Sequence, residues 1–163
     1  MICAVADDPD FQKLRFEVEK DEDGWPPVGS EGLWAVPLGD GLYRLDNIPW
    51  FAWVVAADDV FRAEADDDGV LWAREKVQAS GNCTIRVVPF SEGPLKGDRK
   101  AVLDVFSALG AEGEGAGPND NLVALNVPAG ADLAKIKDRL QQGEADGSWA
   151  YEEGCITQLW RES

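Results

Sequence analysis

The hydrophobic residues of this chain change their spacing once, near residue 90, and that change constrains the fold more than any other feature. Before it, Leu14, Phe16 and Val18 alternate with Arg15, Glu17 and Glu19, the period of a half-buried strand. Trp34 to Leu38, Leu42 to Leu45, Phe51 to Val55, Val60 to Ala65 and Val70 to Val77 follow as short apolar segments separated by Gly, Pro, Asp or Asn. Asp66-Asp67-Asp68-Gly69 lies between the last two and reads as a hairpin turn, its glycine supplying the positive φ such turns need. Several short strands with no helical pattern between them predict a small twisted β-sheet or barrel over residues 12–83, preceded by a segment over 1–11.

After residue 90 the period lengthens. Thr84 to Phe90 is a strand. Asp98 is a good N-cap, Val102, Val105, Phe106 and Leu109 fall at i, i+3, i+4 and i+7, and Gly110 sits where a helix ends, so a helix is expected over 98–110. Leu122 to Val127 is a short apolar strand. Leu133, Ile136 and Leu140 mark a second helix over 130–142, with Gly143 as its stop. Trp149 and Tyr151 begin a last strand that is expected to run toward Ile156 and Leu159. A weak strand within 111–117 and a turn at Pro118-Asn119-Asp120 complete the order β-α-β-β-α-β over 84–160, a ferredoxin-like unit, and the chain is assigned to the α+β class. Glu112-Gly113-Glu114-Gly115 has poor strand propensity, so that element should lie at an edge.

Composition narrows the chemistry. The 163 residues include no histidine, which excludes triads that use His as base and zinc sites that need imidazole. Residues 1–80 hold seven basic and eighteen acidic side chains, and the remainder holds eight and thirteen, for a net charge of −16. Such a field repels nucleic acid and anionic membrane surfaces and steers a basic protein or peptide inward. Cys3, Cys83 and Cys155 form no CxxC pair, a reduced-compartment pattern. The opening ten residues have no basic region and no apolar run of signal-peptide length, and no stretch reaches eighteen apolar residues, so a cytoplasmic location is expected.

Three segments carry a resemblance: Glu31 to Pro37 (EGLWAVP), Leu42 to Phe51 (LYRLDNIPWF) and Ser80 to Val87 (SGNCTIRV). In this order they resemble the bacterial family called domain of unknown function 4265, and Gly147 to Glu153 also fits. The resemblance implies a fold-level grouping and no activity. A Gly-Asp pair before a Val is typical of that family. Here Ala57-Asp58-Asp59-Val60 lacks the glycine, so the tight turn is not secured at this point.

Two clusters could carry chemistry. Asp46 and Asn47, just before Ile48-Pro49, could act as a base and an orienting amide, or simply bond their own turn, which is the better-supported reading. Ser80, Asn82, Thr84 and Arg86 offer polar groups where small residues let a backbone approach a ligand. Cys83 among them lacks the base or positive field that makes a thiolate and reads as a packed small hydrophobe. Arg86 alternates with Ile85 and Val87, and an ion pair with Glu31, Asp46 or Asp59 is its default role. Asp58-Asp59 and Asp66 to Asp68 lack the ligand pattern of an EF-hand and read as solvated turns, so no metal or cofactor is expected.

Five of the seven tryptophans, Trp25, Trp34, Trp50, Trp53 and Trp72, fall within 48 residues. A small barrel cannot easily enclose five indoles, each needing an N–H partner when buried, so at least one or two should face outward, with Trp25 and Trp50 favoured. The preferred reading is therefore a non-catalytic immunity, regulatory or accessory protein. It would engage a protein or peptide partner, basic ones being favoured, through Trp25, Trp34, Trp50 and the surrounding acids. The alternative is a small-molecule enzyme or ligand-binding protein of natural-product metabolism, with Asp46, Asn47, Ser80, Asn82 and Arg86 around a pocket between the lobes. The balance leans away from an enzyme, and the oligomeric state is left open.

Overall fold

The computed structural model describes residues 10–115 and 121–163. It divides into two compact units, the first running to Trp53 and resuming over Ala57–Ser80, the second combining Val54–Ala56 with Gly81–Ser163. The expected turn at Pro118-Asn119-Asp120 and most of the segment over 1–11 lie outside the described residues.

The first unit is a closed barrel of five strands, β1 (Gln12–Glu17), β2 (Ser30–Gly39), β3 (Leu42–Leu45), β4 (Val60–Ala65) and β5 (Leu71–Gln78). Each strand is antiparallel to the next, while β1 and β5 pair in parallel. Odd strand number dictates this, because in an alternating meander the first and fifth strands run the same way. Closure removes the exposed edges that a five-stranded sheet would otherwise present. Period-2 alternation sends Leu14 and Phe16 of β1, Leu33 and Ala35 of β2 and Phe61 and Ala63 of β4 inward, and Phe16 meets Phe61 edge-to-face with ring centroids 5.0 Å apart. At the β4–β5 turn Gly69 has φ +80°, and Asp66 Oδ1 accepts the Asp68 and Val70 N–H groups.

Phe51 to Val55, read from sequence as an apolar segment of the strand series, is a loop. It follows Pro49 and holds Val54 at φ +61°, a conformation that β-branched residues do not adopt in strands. The tight turn left open by the missing family glycine is present: Asp58 takes φ +68°, and Asp58 N–H and Leu45 O are 2.9 Å apart. Aspartate fills the left-handed position because its short polar side chain tolerates it better than most.

The second unit has the order β6 (Cys83–Pro89), α1 (Arg99–Ser107), β7 (Glu112–Glu114), β8 (Val123–Val127), α2 (Leu133–Ala145), β9 (Trp149–Cys155) and α3 (Gln158–Glu162). Its four strands form one antiparallel sheet in the order β7-β8-β6-β9. Asp98 caps α1 by accepting from Lys100 and Ala101 N–H, and Asp132 caps α2 by accepting from Lys135 N–H. Ile85, Val87, Val123, Leu125 and Val127 of the sheet pack with Val102 and Phe106 of α1 and Ile136 and Leu140 of α2. Trp149 is sealed in this core with its indole N–H donated to Leu140 O at 3.0 Å. The edge strand β7 is three residues long and exposed, as Gly113 and its two flanking glutamates foretell.

Two expectations fail here. Gly143 does not stop α2, which continues to Ala145; instead the indole of Trp149 lies where a side chain at 143 would be. The last strand does not continue past Cys155. Thr157 caps a short helix instead, its hydroxyl accepting the Trp160 N–H, and Trp160 is buried in the same core.

Candidate functional site

Glu31 organises the barrel unit. It shares the inward parity of Leu33 and Ala35 along β2, so an acid is sent where apolar residues belong. A buried carboxylate is costly unless hydrogen-bonded. Glu31 meets three successive amides: Oε1 accepts from Trp50 N–H at 2.5 Å, and Oε2 accepts from Phe51 N–H at 2.9 Å and Ala52 N–H at 2.8 Å. Three N–H groups turned toward one point form an anion nest, here filled from within.

Asn47 pins the same loop from its other end. Its Oδ1 accepts the Trp34 N–H at 2.7 Å, while Asp46 N–H donates to Trp34 O at 2.9 Å, so Trp34 is hydrogen-bonded to this loop on both its backbone groups. Asn47 is thus a backbone clamp. Burial, then the neighbouring Asp58 charge, raises the Asp46 carboxyl above its ordinary value, with Arg44 opposing.

The loop between Asp46 and Trp53 thereby connects the indoles. Asp21 Oδ1 accepts from Asp23 and Trp25 N–H at 2.9 Å each, building the turn that carries Trp25, and the Trp25 ring meets Phe51 edge-on at 5.9 Å. Trp25, Trp34 and Trp53 remain 45%, 46% and 50% exposed. Trp50, expected to face outward with Trp25, is half-buried beneath its bond to Glu31, and Trp34 and Trp53 stand out instead. Trp72 is half-buried with its indole N–H on Asp66 Oδ2 at 2.9 Å. That bond, first, and the Val70 amide, second, hold the Asp66 carboxyl below its ordinary value.

The residues of the pocket reading are each in structural use or behind a strand start. Ser80 N–H donates to Asp59 Oδ1 at 2.8 Å, and Asp59 also holds Lys76 Nζ at 2.7 Å. Asn82 is half-buried just before β6. Arg86 is 1% exposed, and its Nε donates to Glu152 Oε1 at 2.6 Å, directly across the β6–β9 register. Glu152 was not among the acids expected for it; Glu31, which was, is committed to the loop amides. The Arg86 guanidinium lies against Gly154, where a Cβ would be 2.7 Å from Nη2. Thr84 Oγ1 donates to Val55 O at 2.8 Å, and the Cys83 thiol is buried 3.7 Å from Thr157 Oγ1. Among the described residues no group of three metal-ligating side chains occurs, and no helix is long and apolar enough to cross a membrane.

A closed five-stranded barrel bearing an indole-rich, carboxylate-held loop, followed by an α+β unit, is the class of protein that this fold and site define. The chain belongs to the family described as Domain of unknown function (DUF4265), whose model matches residues 31–151, beginning at Glu31 itself. It is similar in structure to a hypothetical protein from Neisseria gonorrhoeae, with 25% sequence identity, a TM-score of 0.72, and 88% of this chain and 94% of that one covered. No curated protein matches it.

Proposed function

We propose that the chain is a non-catalytic, cytoplasmic bacterial binding protein, of immunity, regulatory or accessory type, that engages a polypeptide partner through its barrel unit. The observation that carries this is the exposure of Trp25, Trp34 and Trp53 around a loop fixed by Glu31 and Asn47. Aromatic side chains held rigidly lose little entropy on binding and are enriched at interface hot spots. The exposed acids at Asp21, Glu22 and Asp23 beside Trp25 suit a basic partner. We read the second unit as ferredoxin-like, a reading supported by its element and strand order. The pocket reading is less well supported, since Asn47 and Arg86 serve backbone and ion-pair roles.

The test is recovery of partners from an extract of the native host on immobilised full-length chain, wild type against Trp25→Ala/Trp53→Ala. Loss of a specific polypeptide from the variant supports the proposal. Identical recovery by a variant that retains its unfolding midpoint contradicts it.

A further inference from the structure

Six cations lie on the barrel strands, and four of them are paired with carboxylates: Arg44 with Asp58, Arg62 with Glu75, Arg74 with Glu64 and Lys76 with Asp59. Lys13 and Arg15 of β1 are different. Among the described residues neither has a carboxylate within 4.0 Å, although eighteen acids are spread over residues 1–80.

Their geometry is built rather than diffuse. Both share the outward parity of β1, and the antiparallel register sets Trp34 opposite Lys13 and Gly32 opposite Arg15. Both side chains fold across Gly32, where an added Cβ would be 2.9 Å from Arg15 Nη1 and 2.9 Å from Lys13 Cδ. Lys13 Nζ sits over the Trp34 ring, 5.0 Å from its centroid. Arg15 donates Nη2 and Nε to Ser30 Oγ at 2.6 and 3.2 Å. On the other side, the parallel pairing with β5 sets half-buried Trp72 beside Arg15. The Lys13 stem and the Arg15 guanidinium thus cover Gly32, with the Lys13 ammonium toward Trp34 and the Arg15 guanidinium toward Ser30, two cations on one outer face.

We propose that this outer face of β1 and β2 docks a short acidic segment of the polypeptide partner. The Lys13 ammonium and Arg15 guanidinium take its carboxylates, and the exposed Trp34 ring packs along its apolar stems. Charge complementarity identifies the occupant. A long polyanion meets the repulsion of the whole −16 chain, whereas a short segment lies within the ~8 Å over which local cations dominate at physiological salt. A partner that is basic overall with one acidic segment satisfies both the acids near Trp25 and the cations near Trp34, and the pair of contacts fixes its orientation. The proposal rests on the reading of the barrel unit as the contact surface.

The probe is an acetylated, amidated tetra-glutamate peptide titrated into the full chain, read by the NMR signal of the Trp34 indole N–H. The expected result is a saturable shift, weakened by about tenfold or more in Lys13→Gln/Arg15→Gln and unchanged in Trp25→Ala/Trp53→Ala. No shift, or a shift undiminished in Lys13→Gln/Arg15→Gln, overturns the proposal. So does a single-stranded oligonucleotide or inorganic phosphate that moves the signal as far at the same charge concentration. If the peptide docks as expected while partner recovery is indifferent to Trp25 and Trp53, the broader reading fails and this site stands. If recovery depends on Trp25 and Trp53 but the peptide shifts nothing, this site alone fails.

Discussion

The carboxylate of Glu31 accepts the backbone N–H of Phe51 at 2.9 Å across twenty positions of sequence, and with its bonds to Trp50 and Ala52 it sets the shape of the loop that bears the exposed indoles. Glu31→Gln keeps the size of the side chain but turns one of its two acceptor oxygens into a donor facing donors. A cost of about 2–3 kcal/mol follows from losing charge-assisted bonds and leaving a buried N–H unsatisfied. Denaturant midpoints should fall accordingly, and amide exchange at Phe51 and Ala52 should quicken more than at Leu14 or Leu125. Equal midpoints for the two proteins would show that the carboxylate does not hold the loop.

Replacing a helical glycine by alanine normally gains about 1 kcal/mol. At Gly143 the sign reverses, because the new Cβ would lie 2.1 Å from Trp149 Cε2 in a sealed core. Gly143→Ala should lose about 2–3 kcal/mol through overpacking, checked by chemical unfolding; a more stable variant would mean that Trp149 is free to move aside.

Much of this was legible in the chain. Period-2 alternation located β1, the apolar segment Val60 to Ala65 became β4, the Asp66 to Gly69 turn joined β4 to β5, and Asp98 stands in its capping place, whereas the Asp132 cap of α2 was not singled out from sequence. Glu31 was missed as an organising residue, yet a signal existed: it occupies the same parity as Leu33 and Ala35, and an acid at a core position must find donors. Those donors lie on a loop whose approach depends on barrel closure, which no local pattern encodes. Gly143 was misread for a similar reason. It continues the buried stripe of Leu133, Ile136 and Leu140, so it belongs to the packed face, but the indole that needs the space comes from another element.

Asp58 stands at φ +68°, and a glycine there removes its backbone strain. Asp58→Gly should stabilise the chain by about 0.5 kcal/mol, tempered by the weak bond to Arg44 that it loses. The same change removes the second cause of the raised Asp46 pKa, leaving burial. A raised folded pKa means stability that is present below the ordinary carboxylate value and lost as pH rises through the folded pKa. That loss should therefore shrink in the variant, with the Asp46 carboxyl titrating lower by NMR. An unmoved Asp46 titration would exclude coupling between the two acids.

Asp66 behaves in the opposite sense. Its pKa is lowered chiefly by the Trp72 indole bond, so its contribution is present above the ordinary value and lost as pH falls through the folded one. Trp72→Phe keeps an aromatic ring and removes the donor. The Asp66 carboxyl should then titrate closer to its ordinary value, measured by NMR; no change would assign the shift to the turn amides alone.

The role of the exposed indoles is tested most directly by hydroxyl-radical footprinting of the chain with and without its partner from the native host. Trp25, Trp34 and Trp53 should be protected in the complex, while Phe90 and Leu159, exposed on the second unit, keep their reactivity. Protection confined to Phe90 and Leu159, with the three indoles oxidised equally in both states, would contradict the account.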